Sequence, residues 1–189
     1  GDIPSELPRD IPRESAGGAL VMPGLVECHT HLIWGGDREQ DFEDRCSGIG
    51  YEEILARGGG IYSSVAGTRA ATEEDLYGVA MDRMDALVRQ GITTVEIKSG
   101  YGLDLENELK ILQIAERIDR THPLTVVPTF LGAHVVGPEH RGDPDRYVDL
   151  VIHEMLPEVA ALELARFCDV FVEDGAFDVP RARRILRQA

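Results

Sequence analysis

The sequence predicts an α/β fold amounting to about half of a (β/α)8 barrel. Three observations carry this. β-branched apolar runs alternate with segments of helical period; the crossovers are long enough for parallel pairing; and only four such units fit in 189 residues, where a closed barrel takes about 250. An open doubly wound sheet is the structural alternative. A half barrel leaves sheet edges unpaired and part of its apolar interior open.

Residues 1–18 contain Pro4, Pro8 and Pro12 with mixed charge and little periodicity, and read as a loop or disordered lead-in. Residues 19–21 read as a short strand. After the turn-forming Pro23-Gly24, residues 24–31 read as another. Residues 35–67 are Gly-rich and charged, a poor strand and helical only in part, with a short helix expected over residues 51–57 before Gly58-Gly59-Gly60. Thr72 followed by Glu73, Glu74 and Asp75 marks a helix start. Leu76, Val79, Ala80, Met84, Leu87 and Val88 continue that helix to a stop at Gly91. Ile92-Thr93-Thr94-Val95-Glu96-Ile97 reads as a buried strand, and Leu109, Leu112, Ile114, Ala115 and Ile118 space a helix over residues 105–120. Further on, the pattern predicts a strand over residues 124–130, helices over 145–155 and 158–167, a strand over 169–172 and a helix from Arg181 to Gln188.

Composition narrows the function. Hydrophobic residues make up 43% and charged residues 28%, a globular balance. The formal charge of −15 disfavours nucleic acid and anionic membranes as partners. An anionic substrate would then need a local Arg or Lys to reverse the sign within its site. Cys28, Cys46 and Cys168 are too few and scattered for a disulfide framework, which suggests a reducing, cytoplasmic setting. No apolar run approaches the roughly 20 residues that span a bilayer.

His29-Thr30-His31 is the sharpest chemical feature. Residues two apart on a strand share a face, so both imidazoles could reach one metal at about 2.0–2.1 Å. They fall at the end of a predicted strand, where barrel enzymes carry their active sites. Arg38 follows seven residues after His31 in a Gly-containing loop. It could grip a carboxylate with two parallel hydrogen bonds, or pair at the surface with Glu39 or Asp41. Tyr101, between Gly100 and Gly102, puts a hydroxyl on a loop after a strand, or simply packs there. His134 after Gly132-Ala133 could hydrogen-bond a substrate carbonyl, or serve as a buried structural histidine. His122, His140 and His153 read as structural or solvated. Lys98 reads as a buried charge that Glu96, on the same strand face, could pair.

The decapeptide Pro23-Gly24-Leu25-Val26-Glu27-Cys28-His29-Thr30-His31-Leu32 resembles the first-strand signature of the amidohydrolase superfamily of metal-dependent hydrolases. The resemblance narrows to the imidazolonepropionase family through Gly58-Gly59-Gly60-Ile61, Thr68-Arg69-Ala70-Ala71-Thr72, Thr94-Val95-Glu96-Ile97-Lys98-Ser99-Gly100-Tyr101-Gly102-Leu103 and Pro128-Thr129-Phe130-Leu131-Gly132-Ala133-His134, in that order. It implies the N-terminal and central portion of a TIM-like barrel over residues 24–189, with residues 19–23 as a remnant of a flanking small β-domain.

The resemblance further implies one metal, zinc or iron, with His29 and His31 as ligands, and Arg38, Tyr101 and His134 as substrate contacts. The implied reaction is hydrolysis of the cyclic amide of 4-imidazolone-5-propanoate to N-formimidoyl-L-glutamate, in histidine degradation. The family's third histidine, its aspartate ligand and its acid/base glutamate come from later strands, so this chain alone is expected to be inactive. A mononuclear site is expected, not a pair of metals bridged by a carboxylated Lys98. The expected partners are a small anionic heterocycle and the other half of the barrel, with a homo-oligomer left open. Two other readings compete: another cyclic amidohydrolase or deaminase of the superfamily, and a non-catalytic half-barrel that serves as an assembly module.

Overall fold

A computed structural model describes residues 10–12, 14–50, 53, 54 and 57–189. Residues 1–9 of the expected lead-in, and much of the helix expected over 51–57, lie outside the described residues.

Four parallel strands, β1 (Leu25–Thr30), β2 (Ile92–Lys98), β3 (Thr125–Ala133) and β4 (Phe167–Val170), form one sheet in the order β1-β2-β3-β4. A doubly wound sheet reverses its strand order at a switch point. Here sequence order and spatial order coincide, and the sheet curls into a half-barrel. The helices are α1 (Glu39–Cys46), α2 (Ile61–Ala70), α3 (Glu73–Val88), α4 (Leu105–Thr121), α5 (Pro144–Leu150), α6 (Leu156–Ala161) and α7 (Val179–Gln188).

Period-two alternation on β2 decides which side chains face the helices. Val95 and Ile97 are fully buried and pack with Met84 of α3 and with Ile111, Ile114, Ala115 and Ile118 of α4. Thr94 and Glu96 take the opposite, half-exposed face, which also carries a shallow depression lined by Val26, Cys28, Val127 and Phe167. A second core gathers Phe130, Tyr147, Val148, Met155 and Phe177 around β3 and the helices that follow it. The helix starts behave as their sequences dictate. Thr72 caps α3 by accepting the Asp75 N–H, and Asp104 caps α4 by accepting that of Asn107.

Three expectations need correction. Residues 19–21 form no strand: among the described residues the sheet begins at β1, and Leu20 and Val21 are exposed. Residues 35–67, by contrast, are helical in part as expected, through α1 and most of α2. Helices α5 and α6 are not separated at Pro157, because the π-helical stretch Val151–Met155 joins them. Proline has no N–H to return to the preceding turn, and a π bulge is one way a helix absorbs that loss. Finally, α6 stops at Ala161 and Phe167 already belongs to β4. Glu163 adopts a left-handed φ of 53°, while the Leu164 N–H reaches Val159 O and the Glu163 N–H reaches Ala160 O. This is a Schellman stop built without the glycine that usually signals it.

Candidate functional site

The C-terminal ends of all four strands meet on one rim, and the candidate residues lie there. His29 is the penultimate residue of β1 and His31 lies just beyond the strand, after an irregularity in the β1–β2 register between Glu27 and Thr30. The chain is pinned on either side of His31: the Thr30 hydroxyl donates to Glu96 O at 2.5 Å, and Leu32 and Ile33 are buried. The two rings have centroids 5.9 Å apart. His31 stacks on His134 at 4.8 Å with 10° between planes, and lies 5.0 Å from the Tyr101 ring. Tyr101 and His134 are 5.4 Å apart, and Phe171 closes edge-on against His134 at 5.8 Å.

Burial and the neighbouring His134, His29 and Lys98 charges lower the His31 pKa to about 3, against a raising backbone hydrogen bond at Ser99. The imidazole is therefore neutral at physiological pH. Its Nδ1 is buried and has no hydrogen-bond partner among the described residues. Burial also lowers the pKa of His134, helped by the Arg38 and His29 charges and opposed by its bond to Gly100 and by Asp169. His134 Nδ1 lies 3.0 Å from Gly100 O. A carbonyl only accepts, so Nδ1 carries the proton.

Arg38 is held by a device that composition did not reveal. The loop after β1 lies directly on α2, because Gly35 and Gly67 allow backbone contact; a Cβ on Gly67 would meet Gly35 O at 2.7 Å. Across this contact the Gly35 N–H donates to Thr68 Oγ1 at 3.0 Å, and Arg38 Nε donates to Ser64 Oγ at 2.9 Å. The alternative pairing with Glu39 or Asp41 is not formed; Asp41 instead accepts the Gly60 N–H at 2.8 Å. Ser64 thus tethers Arg38 Nε, and the Arg38 charge helps lower the pKa of His134.

Beneath the rim lies a charged cluster. Lys98, 6% exposed, donates to Glu96 Oε1 and to Asp169 Oδ2, both at 2.9 Å, and Glu96 also accepts from the Thr129 hydroxyl at 2.6 Å. Pairing with Glu96 was legible in the strand alternation; Asp169, contributed by β4, was not. Burial works against the lysine charge, but the two carboxylates more than offset it and raise the pKa. A protonated amine has no lone pair with which to take up carbon dioxide, which disfavours a carboxylated bridging lysine. Lys98→Ala leaves two carboxylates facing one another. With Asp169 half-exposed, the expected loss is about 1–3 kcal/mol of stability, read by urea unfolding of the full-length protein. Unchanged stability would mean that water already satisfies both acids.

Histidines 122, 140 and 153 stay outside the site. His122 is buried between the Leu124 N–H and Asp85, His140 packs on Tyr147, and His153 is exposed. Glu173 and Asp174 lie exposed beyond β4.

The rim fits a metal in part. Two nitrogens at about 2.0–2.1 Å from one ion put their ring centroids roughly 5–6 Å apart, consistent with the 5.9 Å seen here. The unpartnered, neutral Nδ1 of His31 has the chemistry of a ligand. Among the described residues, no group of three His, Cys, Asp or Glu side chains converges to complete a site.

No protein-family model matches the chain. Curated relatives do. The imidazolonepropionase of Brevibacillus brevis is 51% identical over 171 residues, that of Symbiobacterium thermophilum 54% over 175, and that of Shewanella halifaxensis 48% over 188. These matches cover 90%, 92% and 100% of this chain. Along nearly its whole length the chain is similar to part of an imidazolonepropionase. It spans 40%, 41% and 46% of those three relatives' own lengths, so it matches only part of an imidazolonepropionase.

Proposed function

We propose that this chain contributes part of the active site of a metal-dependent hydrolase that opens the ring of 4-imidazolone-5-propanoate, giving N-formimidoyl-L-glutamate in histidine degradation. The observation that carries the reading is the gathering of His29, His31, Tyr101 and His134 on one rim of a half-barrel, with the charge of Arg38 acting on His134. The similarity to curated imidazolonepropionases supports it.

In this reading His29 and His31 hold a single zinc or iron ion, and the remaining ligands and the acid/base residue come from outside these residues. The metal, when bound, supplies a water whose pKa is lowered toward neutrality. Arg38 binds the propanoate carboxylate with its outer N–H groups while Ser64 fixes Nε. Tyr101 and His134 bracket the heterocycle. With Nδ1–H committed to Gly100 O, a neutral His134 offers Nε2 as an acceptor, suited to a ring N–H. That differs from the carbonyl donor expected from sequence. The reaction adds the water oxygen to the ring carbonyl carbon; the adjacent C–N bond breaks, and the departing nitrogen takes up a proton. A cytoplasmic setting fits the three free cysteines, and no helix among the described residues is long and apolar enough to cross a membrane.

The test is product identification. The full-length protein, supplied with zinc or with iron, should convert imidazolone propanoate to N-formimidoylglutamate. Turnover only of a neutral heterocycle would favour another cyclic amidohydrolase or a deaminase. Absence of turnover with every metal and substrate would favour the non-catalytic module.

A further inference from the structure

Glu108 of α4 is fully buried and takes no part in the site described above. Its carboxylate accepts the Gly100 N–H on both oxygens at 3.0 and 3.2 Å, and the Gly102 and Leu103 N–H groups at 2.8 Å each. The Ser99 hydroxyl is a further donor to it, and Ser99 Oγ itself accepts the Leu131 N–H from β3 at 2.9 Å. Burial raises the pKa of Glu108, and the Ser99, Leu103, Gly102 and Gly100 donors oppose that rise.

Converging N–H groups bend residues 99–103 tightly around one acid. Gly100 takes a φ of 104° and Leu103 a φ of 57°, and a Cβ on Gly102 would lie 2.5 Å from Glu108 N. On the outer side of the same bend, Arg69 Nε donates to Gly102 O at 2.7 Å. The bend delivers two things to the rim. Tyr101 projects from it against His31 and His134, and the Gly100 carbonyl holds His134 Nδ1. Both candidate substrate contacts on this side therefore take their placement from backbone that Glu108 shapes.

We infer that Glu108 is a positioning residue for the ring-opening reaction: its buried carboxylate sets the backbone of residues 99–103 and, through it, the placement of Tyr101 and the Nδ1–H tautomer of His134. The reaction part of this inference rests on the proposed function; the backbone part does not. Glu108→Gln keeps the shape of the side chain but turns an NH2 group toward N–H donors.

The experiment compares wild type, Glu108→Gln, Tyr101→Phe and the double variant in the full-length, metal-loaded protein, with amide exchange measured alongside. Exchange at Gly100, Gly102 and Leu103 should rise while Val95 and Ile97 stay protected. Glu108→Gln should lower kcat/KM about 10- to 100-fold with metal content unchanged, and the double variant should be little worse than the poorer single one. Faster loop exchange with unchanged kinetics, or losses that simply multiply, would make Glu108 a purely structural acid and overturn the inference. No turnover by the wild type would overturn the ring-opening reading itself, and the reaction role of Glu108 with it. Should Glu108→Gln not fold, Ser99→Ala removes a single donor, and a smaller loss still coupled to Tyr101→Phe is expected; an uncoupled loss would again overturn the inference.

Discussion

His31→Ala in the full-length protein is expected to strip the site of metal and lower kcat/KM by at least on the order of 10³. The expectation follows from two properties of one ring. Burial and surrounding positive charge lower the pKa of the imidazole to about 3, so near neutral pH one of its ring nitrogens is free of a proton. Its buried Nδ1 also meets no hydrogen-bond partner among the described residues, an expense that folded proteins rarely carry without a use. His29→Ala should behave similarly, though its ring is the more exposed of the two. His122→Asn is the control: it removes a buried imidazole bound to Asp85 and Leu124, and should cost stability while metal content holds. Metal analysis and turnover on the same preparations check all three. Stoichiometric metal in His31→Ala would remove His31 from the ligand set.

Arg38→Ala should raise KM for imidazolone propanoate about 10²-fold and leave metal content unchanged, because a bidentate guanidinium–carboxylate pair is lost from a protein with a net charge of −15. Arg38→Lys should recover only part of this. An ammonium is a point charge that cannot both satisfy Ser64 and present two parallel donors. A substrate analogue lacking the propanoate should bind wild type and Arg38→Ala equally. If Arg38→Ala bound both compounds like wild type, the clamp assignment would fail.

Much of this arrangement was legible in the sequence. Periods of 2 and 3.6 located β2, β3, α3 and α4, and their alternation with crossovers gave parallel pairing. Thr72 announced a helix start through a side-chain oxygen that needs no tertiary context. The family resemblance singled out His29, His31, Arg38, Tyr101 and His134, and the rings of His29, His31, Tyr101 and His134 lie near one another. What was not legible depends on contacts distant in the chain. Ser64 reaches Arg38 only because Gly35 and Gly67 let two backbones touch. Asp169 meets Lys98 across an intervening strand. Nothing in the helix pattern singles out Glu108, whose carboxylate is wrapped by the loop before it. Local misreadings had local causes: Glu163 ends α6 in a conformation usually left to glycine, and Pro157 is absorbed by a π-helical stretch.

The most direct test of the central claim is an anomalous-diffraction crystal structure of the full-length, metal-loaded protein. The account predicts one metal peak on the rim, within about 2.0–2.1 Å of a nitrogen of both His29 and His31, with His134 and Tyr101 facing it but not bound to it. A peak elsewhere, or one that leaves either His29 or His31 uncoordinated, would contradict it.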